Sequence, residues 1–492
     1  MPEILLVTIN AKWIHPSLAL RLLKANLGNH EENCEILEFA LRQPLAEKTE
    51  PVLARQPRLL GLSVSIWNHL ATLELLEELE TKWAGERPLV VLGGPEVSWL
   101  PEDAEIFRHA DYVIRGEGEE SFRLLCDKVF DPGFPRPAGK NTVFINRGET
   151  PADVESIASA YHLYTDEDLQ KKLCYVEASR GCPFGCEFCQ GGTKKVREFP
   201  LESFLASMGT LIDRGGRNFK FLDRTFNLDI ARAQKIMEFF LDRIIARITA
   251  RITAPGKGDG IENRPLCVHF EMVPGRFPPE LKELISRFPP GTLRLEVGIQ
   301  TLNTMTAALI HRPDISPNNK IENELDNIKF LCAETNAILH VDLIAGLPGE
   351  DMASFGRGFD RLWQIMSGTG RNFEIQLGIL KCLPGTPIIR RIEAYRMRYS
   401  PTPPYEVIET GVLSGTDLGK IKNFARFWES IVNRHSFPDL TPRLLPPGEP
   451  CFGAFMELSD KLLENFGRNW GIERTALGTY LSSYLAMQKS RT

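Results

Sequence analysis

The feature that most constrains this chain is a rhythm of short apolar runs alternating with amphipathic helical stretches. Between residues 3 and 130 the runs ILLVTI, CEILEF, LLGLSVSI, LVVLGG and YVIRGEG are separated by patterns such as SLALRLLKANL and LATLELLEELETKW. Continuous apolar strands joined by crossover helices bury both sheet faces, so residues 1–135 are expected to form a doubly wound, Rossmann-like parallel sheet in an α/β protein. A ligand of such a sheet lies beyond the carboxyl ends of its strands. Asn10, the segment from Ser63 to Asn68, Gly93-Gly94 and Gly116-Glu117-Gly118 fall there. Glycines at strand ends let the backbone approach a bulky ligand.

The stretch DPGFPRPAGKNTVFINRGETP interrupts the rhythm, and residues 136–170 read as a linker. Alternation resumes with CYVEASR, FKFLDRT, CVHFEMV, LRLEVGIQ, LHVDLIAGLP and FEIQLGIL, six strands that predict a partial (β/α)6 barrel over residues 171–395. RITARITA, residues 247–254, reads as an exposed, length-tolerant loop. Lys381, just after the last strand, reads as part of the strand end. From residue 396 to 492 the pattern becomes helical, in LGKIKNFARFWESIVNR and ELSDKLLENFGRNWGI, and predicts a small helical C-terminal domain. Its core would hold Phe424, Phe427, Trp428, Phe466 and Trp470.

A chain of 492 residues is too long for one core. Its net charge of -6 and pI near 6.0 have the wrong sign for a phosphate-backbone binder, so nucleic acid is disfavoured as a partner. No apolar run approaches the roughly 18 residues that cross a bilayer, so no membrane partner is expected. MPEILLVTIN lacks the basic region and cleavage site of a leader, which predicts a cytoplasmic location. Seven of the ten cysteines are isolated in sequence and read as small buried hydrophobes.

The other three form GCPFGCEFC. Cys182, Cys186 and Cys189, spaced C-x3-C-x2-C, wrap three thiolates around one metal centre, with Gly181 and Gly185 bending the loop. Three ligands to a four-iron, four-sulfur cluster leave one iron open for chemistry. A zinc site would require a fourth ligand, and no Cys or His follows at zinc-knuckle spacing.

SRGCPFGCEFCQ, including the aromatic Phe188, resembles the signature of the radical SAM superfamily. The resemblance implies a [4Fe-4S] cluster on the three cysteines and S-adenosylmethionine bound at the strand ends. Asp223 and Asn227 of FLDRTFN would meet the methionine moiety, and Glu271 of HFEM a ribose hydroxyl. Glu296 and Gln300 belong to RLEVGIQT, and Leu343 and Ile344 of VDLIAGLPGE would contact adenine. His269, His311 and His340 read as packing or rim residues.

Likewise GLSVSIWN, VVLGGPEVSWLPED and DYVIRGEGEESF resemble the cobalamin-binding domain often fused before such a barrel, in a subgroup with an uncharacterised helical C-terminal domain. The implied cobalamin contacts are Asn10, His15, Ser63, Ser65, Trp67, Asn68, Gly93, Gly94, Glu117 and Gly118. The D-x-H-x-x-G motif that supplies a histidine to cobalt is absent, which leaves Ile66, Trp67 and Asn68 to meet the lower face. Trp67 there would exclude an axial ligand.

The family reading implies reductive cleavage of S-adenosylmethionine to a 5'-deoxyadenosyl radical. It further implies methylation of an unactivated carbon of a small molecule, with electrons from a donor such as flavodoxin or ferredoxin. A rearrangement or cyclisation without methyl transfer, and a non-catalytic cobalamin or cluster sensor, are the alternatives. An RNA-methylthiolating enzyme would bring a second cluster and a basic module, and neither is evident. The substrate pocket is expected between the two domains.

Overall fold

The structure is a computed structural model that describes residues 2–134, 142–146, 153–191, 195–253, 264–312, 320–369 and 373–489. The first sheet contains β1 (Ile4–Asn10), β2 (Cys34–Ala40), β3 (Leu59–Ser63), β4 (Leu89–Gly93), β5 (Tyr112–Arg115) and β6 (Val143–Asn146), all parallel, in the order β2-β1-β3-β4-β5-β6. Every residue of β1 is buried, as an apolar strand covered on both faces must be. The order reverses between β1 and β3, so the crevice for a ligand opens at Asn10 and Ser63.

The sixth strand corrects part of the linker reading. Val143–Asn146 pairs with β5, Tyr112 opposite Val143, and Phe144 packs edge-on against Phe107 at 5.2 Å. Four residues of VFIN are too few to stand out between turn formers, yet β5 offers them a free edge to pair with. The rest of that segment is described only from residue 153 onward.

The second sheet is the expected half-barrel: β7 (Cys174–Val176), β8 (Asn218–Phe221), β9 (Cys267–Met272), β10 (Leu293–Gln300), β11 (Ile338–Ala345) and β12 (Phe373–Ile379), parallel and in chain order. Along β10 burial alternates strictly: Leu293, Leu295, Val297 and Ile299 face the surrounding helices, while Arg294, Glu296, Gly298 and Gln300 face inward. Register carries that polarity around the sheet, with Lys220 opposite His269, Glu271 opposite Glu296, His340 opposite Glu374 and Asp342 opposite Gln376. The barrel therefore has a polar lumen where a closed barrel has a packed one.

RITARITA is not a loop through residue 253. It continues the helix Ile230–Thr253, because Ile, Arg and Ala sustain a helix and no breaker intervenes until Pro255. Residues 254–263 lie outside the described part.

The C-terminal helices Gly415–Trp428 and Phe452–Phe466 share the barrel's core. Phe424, Trp428, Phe452 and Phe455 interlock with Phe359 and Trp363 of the barrel helix Met352–Ser367, Trp428 sitting 4.7 Å from Phe359 and 5.3 Å from Trp363. Phe427 is likewise buried. Trp470, expected in that core, is 71% exposed, because it falls in the turn before the last helix, and Phe466 is only partly buried. The barrel's outer strand β12 is covered here: Asn433 donates to the Ile375 carbonyl (3.1 Å) and accepts from its N–H (3.2 Å), satisfying groups that an open edge exposes.

Two polar contacts dock the first sheet on the rest. Arg21 bonds both Glu38 (3.0 Å) and Asp168 (2.8 Å), and Lys172 bonds Asp168 (2.8 Å), with Arg21 and Asp168 buried and the other two half-buried. Glu96 accepts from the Tyr405 hydroxyl (2.5 Å) and lies 3.0 Å from His69 Nδ1.

Truncating Trp428 to Ala empties the centre of the shared aromatic core. We expect a loss of about 3–5 kcal/mol, with barrel and C-terminal helices unfolding together, measured by urea denaturation followed by near- and far-ultraviolet circular dichroism.

Candidate active site

The cysteine loop leaves the barrel at β7 and is pinned on both sides. Gly181 takes φ +99°, a conformation that favours glycine; Gly185 is not in that region. Glu187, buried beneath the loop, donates its N–H to the Ile310 carbonyl (3.1 Å) and accepts from the Ile388 N–H (2.9 Å), and its carboxylate meets His311 Nδ1 at 2.9 Å. Gln190 donates to the Pro384 carbonyl at 2.8 Å. His311 is thus a rim residue with a bracing contact.

Each thiol has a donor or cation beside it. The Phe184 N–H and Thr225 hydroxyl reach Cys182, the Arg312 guanidinium reaches Cys186, and the Gly191 N–H lies 3.3 Å from Cys189 Sγ. Burial pushes the Cys182 and Cys186 thiols up, while these donors favour the thiolates that iron requires. Among the described residues no three His, Cys, Asp or Glu side chains converge as they would on one metal ion. A four-iron cluster takes its three protein ligands on three separate irons, and three thiols with N–H, hydroxyl and guanidinium donors beside them suit that role.

The residues expected to bind S-adenosylmethionine divide in two. Glu271, Glu296 and Gln300 reach the lumen, and Phe188 and Ile344 line a cavity beside it. Three do not. Asp223 is buried, accepting from the Ala178 N–H (2.9 Å) and the Ser179 hydroxyl (2.6 Å), so it locks the strand that feeds Cys182. Asn227 spends its whole amide on Val273 and Arg276 backbone, at 2.7–3.0 Å. The Leu343 side chain points into the helix-facing core, since β11 alternates and its neighbour Ile344 takes the inward face. Short polar residues next to a strand end read alike in sequence whether they serve a ligand or the backbone.

In the lumen, Glu296 contacts Lys220 (3.3 Å) and His269 Nε2 (3.2 Å), which hold its carboxyl down at about 2. Burial and the nearby Glu296 raise Glu271 to about 7, and burial with Glu296 and Glu271 raises Asp342 to about 8. Burial lowers His340 to about 4, so its 3.2 Å approach to Glu374 is a contact of a neutral ring, whose Nδ1 stands 2.8 Å from Gln376 Nε2. His269 and His340 are therefore lumen residues rather than packing. Lys220, Asp342 and Gln376 were missed; inward alternation along β8, β11 and β12 was the signal available.

On the first sheet, Gly94 has φ +107°, and a Cβ there would stand 2.5 Å from the Val64 carbonyl oxygen. Gly116, at φ +85°, opens onto free space, as does most of Gly93. Trp67 is 51% exposed, and Trp13 and Trp99, at 51% and 41%, stand after β1 and β4 at the same end of the sheet. An apolar corrin face and its amide rim fit this cradle of glycine backbone and indole. Ser63 borders it. His15 faces the barrel, its Nδ1 2.8 Å from the Tyr175 hydroxyl, and Ser17 caps the next helix, accepting from the Leu20 N–H at 3.2 Å.

Four of the residues expected to meet cobalamin are engaged by the protein itself. Asn68 is fully buried and closes the β3 turn, donating to the Ile9 and Ser63 carbonyls and accepting from the Ser65 N–H (2.7 Å), which buries Ser65 too. Asn10 is buried, with Nδ2 3.4 Å from Glu38. Glu117 ion-pairs with Arg197 beyond the cysteine loop. Gly118 packs against Leu23, a Cβ meeting it at 3.1 Å.

Because folding raises the Glu271 and Asp342 pKa values, the folded state binds their protons more tightly than the unfolded chain. That contribution is complete below the unfolded values near 4 and is lost as pH rises through about 7 and 8. Unfolding free energies measured in urea from pH 5 to 8.5 are expected to fall with pH, and Asp342→Asn is expected to flatten the upper part of that fall.

Comparison with known proteins agrees with this division. The B12 binding domain matches residues 4–125 and the Radical SAM superfamily residues 176–362, together more than half of the chain. The chain is 24% identical over 390 residues to the cobalamin-dependent radical SAM methyltransferase TokK of Streptomyces tokunonensis, covering 73% of this chain and 52% of that one. It is 28% identical over 204 residues to the 2-(S-pantetheinyl)-carbapenam-3-carboxylate methyltransferase of Streptantibioticus cattleyicolor, covering 36% and 29%. The matches thus span about half or less of those relatives' lengths. The solved structure of the radical S-adenosylmethionine methyltransferase TsrM from Kitasatospora setae, with cobalamin and a [4Fe-4S] cluster bound, shares the fold at TM-score 0.57 and 19% identity, with 82% of each chain covered. With a B12 binding domain and a Radical SAM superfamily domain in one chain, the protein belongs to the cobalamin-binding radical SAM family.

Proposed function

We propose that the protein is a cobalamin-dependent radical SAM methyltransferase acting on an unactivated carbon of a small molecule. The observation that carries this reading is an ion-pair bridge: Arg180, two residues before Cys182, bonds Glu119 of the first domain (2.6 Å), and Arg197 bonds Glu117. The cluster loop and the strand ends of the B12-binding domain therefore share one interface. Both curated relatives named above are methyltransferases by name.

When bound, the cluster supplies the electron that cleaves S-adenosylmethionine to a 5'-deoxyadenosyl radical, and cobalamin supplies the methyl group. The chain's own part is to bind, orient and keep dry. Cys182, Cys186 and Cys189 would hold three irons and leave the fourth open. Glu187 and Gln190 fix their loop. Glu296, braced by Lys220 and His269, stays ionised in the lumen, ready to accept hydrogen bonds from hydroxyls. Asp342, raised to about 8, carries a proton near neutral pH and acts as donor as well as acceptor, while Glu271, at about 7, is shared between its two forms there. The docked sheets exclude water from a reactive carbon centre. Such chemistry needs a low-potential donor such as flavodoxin or ferredoxin and a reducing compartment, the cytoplasm.

The test uses anaerobically reconstituted protein with methyl-deuterated S-adenosylmethionine, a strong reductant and a metabolite extract, followed by mass spectrometry. Formation of 5'-deoxyadenosine and a metabolite that gains the labelled methyl are expected, and both should vanish in the Cys182→Ala, Cys186→Ala, Cys189→Ala triple variant. Abundant 5'-deoxyadenosine with no labelled product would instead support a rearrangement, and none at all would remove the radical reading.

A further inference from the structure

The C-terminal helices do more than cover the barrel's outer strand. Between β12 and the helix Gly415–Trp428 lies a cavity of about 540 Å³, within the range of small-molecule sites. It begins at Phe188, the neighbour of Cys189, and at Ile344, both expected to meet S-adenosylmethionine, so the part left to a substrate lies beyond them, along β12 and the C-terminal helix. Leu377, Leu380 and Leu383 continue its apolar wall, and Ala425 closes it from the helix. The cavity thus runs from beside the cluster loop to the C-terminal helices, at the point where the half-barrel is open.

Its charges are unbalanced. Glu406 is bonded by Lys422 (2.5 Å), and Glu429 is taken by Arg434 (3.0 Å) and Asn433 (3.2 Å). Lys381 and Arg426 also line the cavity, and among the described residues their charged ends have neither a hydrogen-bond nor an ion-pair partner. The Lys381 backbone is bridged to Glu406 across an antiparallel pairing, and Arg426 stands on a helix packed through Phe424, Phe427 and Trp428, while both charged side chains are exposed. Two solvent-exposed cations lining an apolar wall match an anion on an apolar body. Arginine binds a carboxylate or phosphate through two parallel hydrogen bonds, with lysine adding a point charge.

We infer that this cavity is the substrate's binding site, and that the substrate is a largely apolar molecule carrying a carboxylate or phosphate held by Lys381 and Arg426. The inference rests on the proposed enzymatic reading and adds a substrate class and a role for the C-terminal helices. Gln376 and Glu406 supply further hydrogen-bonding positions on the same wall.

Binding is measured on the cluster- and cobalamin-loaded protein without reductant, by equilibrium dialysis of radiolabelled decanoate, decyl phosphate, decanol and decyltrimethylammonium. At least one of the two acids is expected to bind about tenfold or more tightly than decanol and the cation, the scale of one charged hydrogen bond. Lys381→Ala/Arg426→Ala should abolish that preference, whereas Lys381→Arg/Arg426→Lys should keep it. Ala425→Trp, which fills the cavity and leaves the charges alone, should weaken every probe. Equal binding of acid and alcohol, or an acid preference untouched by the double alanine variant, overturns the inference. Loaded protein that releases 5'-deoxyadenosine but shows no acid preference keeps the enzymatic reading and loses this one; acid binding without 5'-deoxyadenosine release does the reverse.

Discussion

The architecture turns on the guanidinium of Arg180. It lies between the strand β7 and Cys182, and it is shared by Glu177 (3.0 Å) and Glu119 (2.6 Å), with Glu117 at 3.9 Å. Glu177 belongs to the barrel, whereas Glu117 and Glu119 belong to the first domain at the start of the helix Glu119–Val129. Burying charge this way is costly, and a hydrophobic contact of equal size would hold two domains together at least as well. What the ions add is direction. A guanidinium satisfied by three carboxylates admits one arrangement of the cysteine loop against the strand ends of the first sheet.

Other contacts repeat that logic around the interface. Arg21 and Lys172 share Glu38 and Asp168, His15 meets Tyr175, and Tyr405 reaches Glu96 from the C-terminal segment. Gly385, at φ +81°, leaves no room for a Cβ beneath the ring of Trp99, so the loop after β12 presses directly on the loop after β4. The first domain is held by both ends of the barrel, while Gly93, Gly116 and the exposed Trp67 stand at its strand ends.

The lumen is tuned by similar means. One carboxylate, Glu296, is kept charged by Lys220 and His269, and burial with its field raises Glu271 to about 7 and Asp342 to about 8. Carboxyls on adjacent strands thereby take different protonation states within one cavity. Polar binding groups face the inside of the half-barrel, and the apolar faces of the same strands anchor it to its helices.

The sequence by itself determined a good deal, because period and spacing are local properties. Alternating apolar runs gave both parallel sheets, and the glycine-flanked C-x3-C-x2-C gave the cluster loop, each within a few consecutive residues. The resemblance of RLEVGIQT pointed to Glu296 and Gln300, and the alternation of β10 in the structure turns both to the lumen. Only the tertiary structure decided which polar residues are free to serve a ligand. Asp223, Asn227 and Glu117 are engaged by folded neighbours distant in sequence, which no linear pattern shows. Lys381 and Arg426, 45 positions apart and without motif, line one cavity only because a helix packs across the barrel's open edge. A hydrogen bond is satisfied or left open by three-dimensional proximity, and a linear pattern carries no record of that.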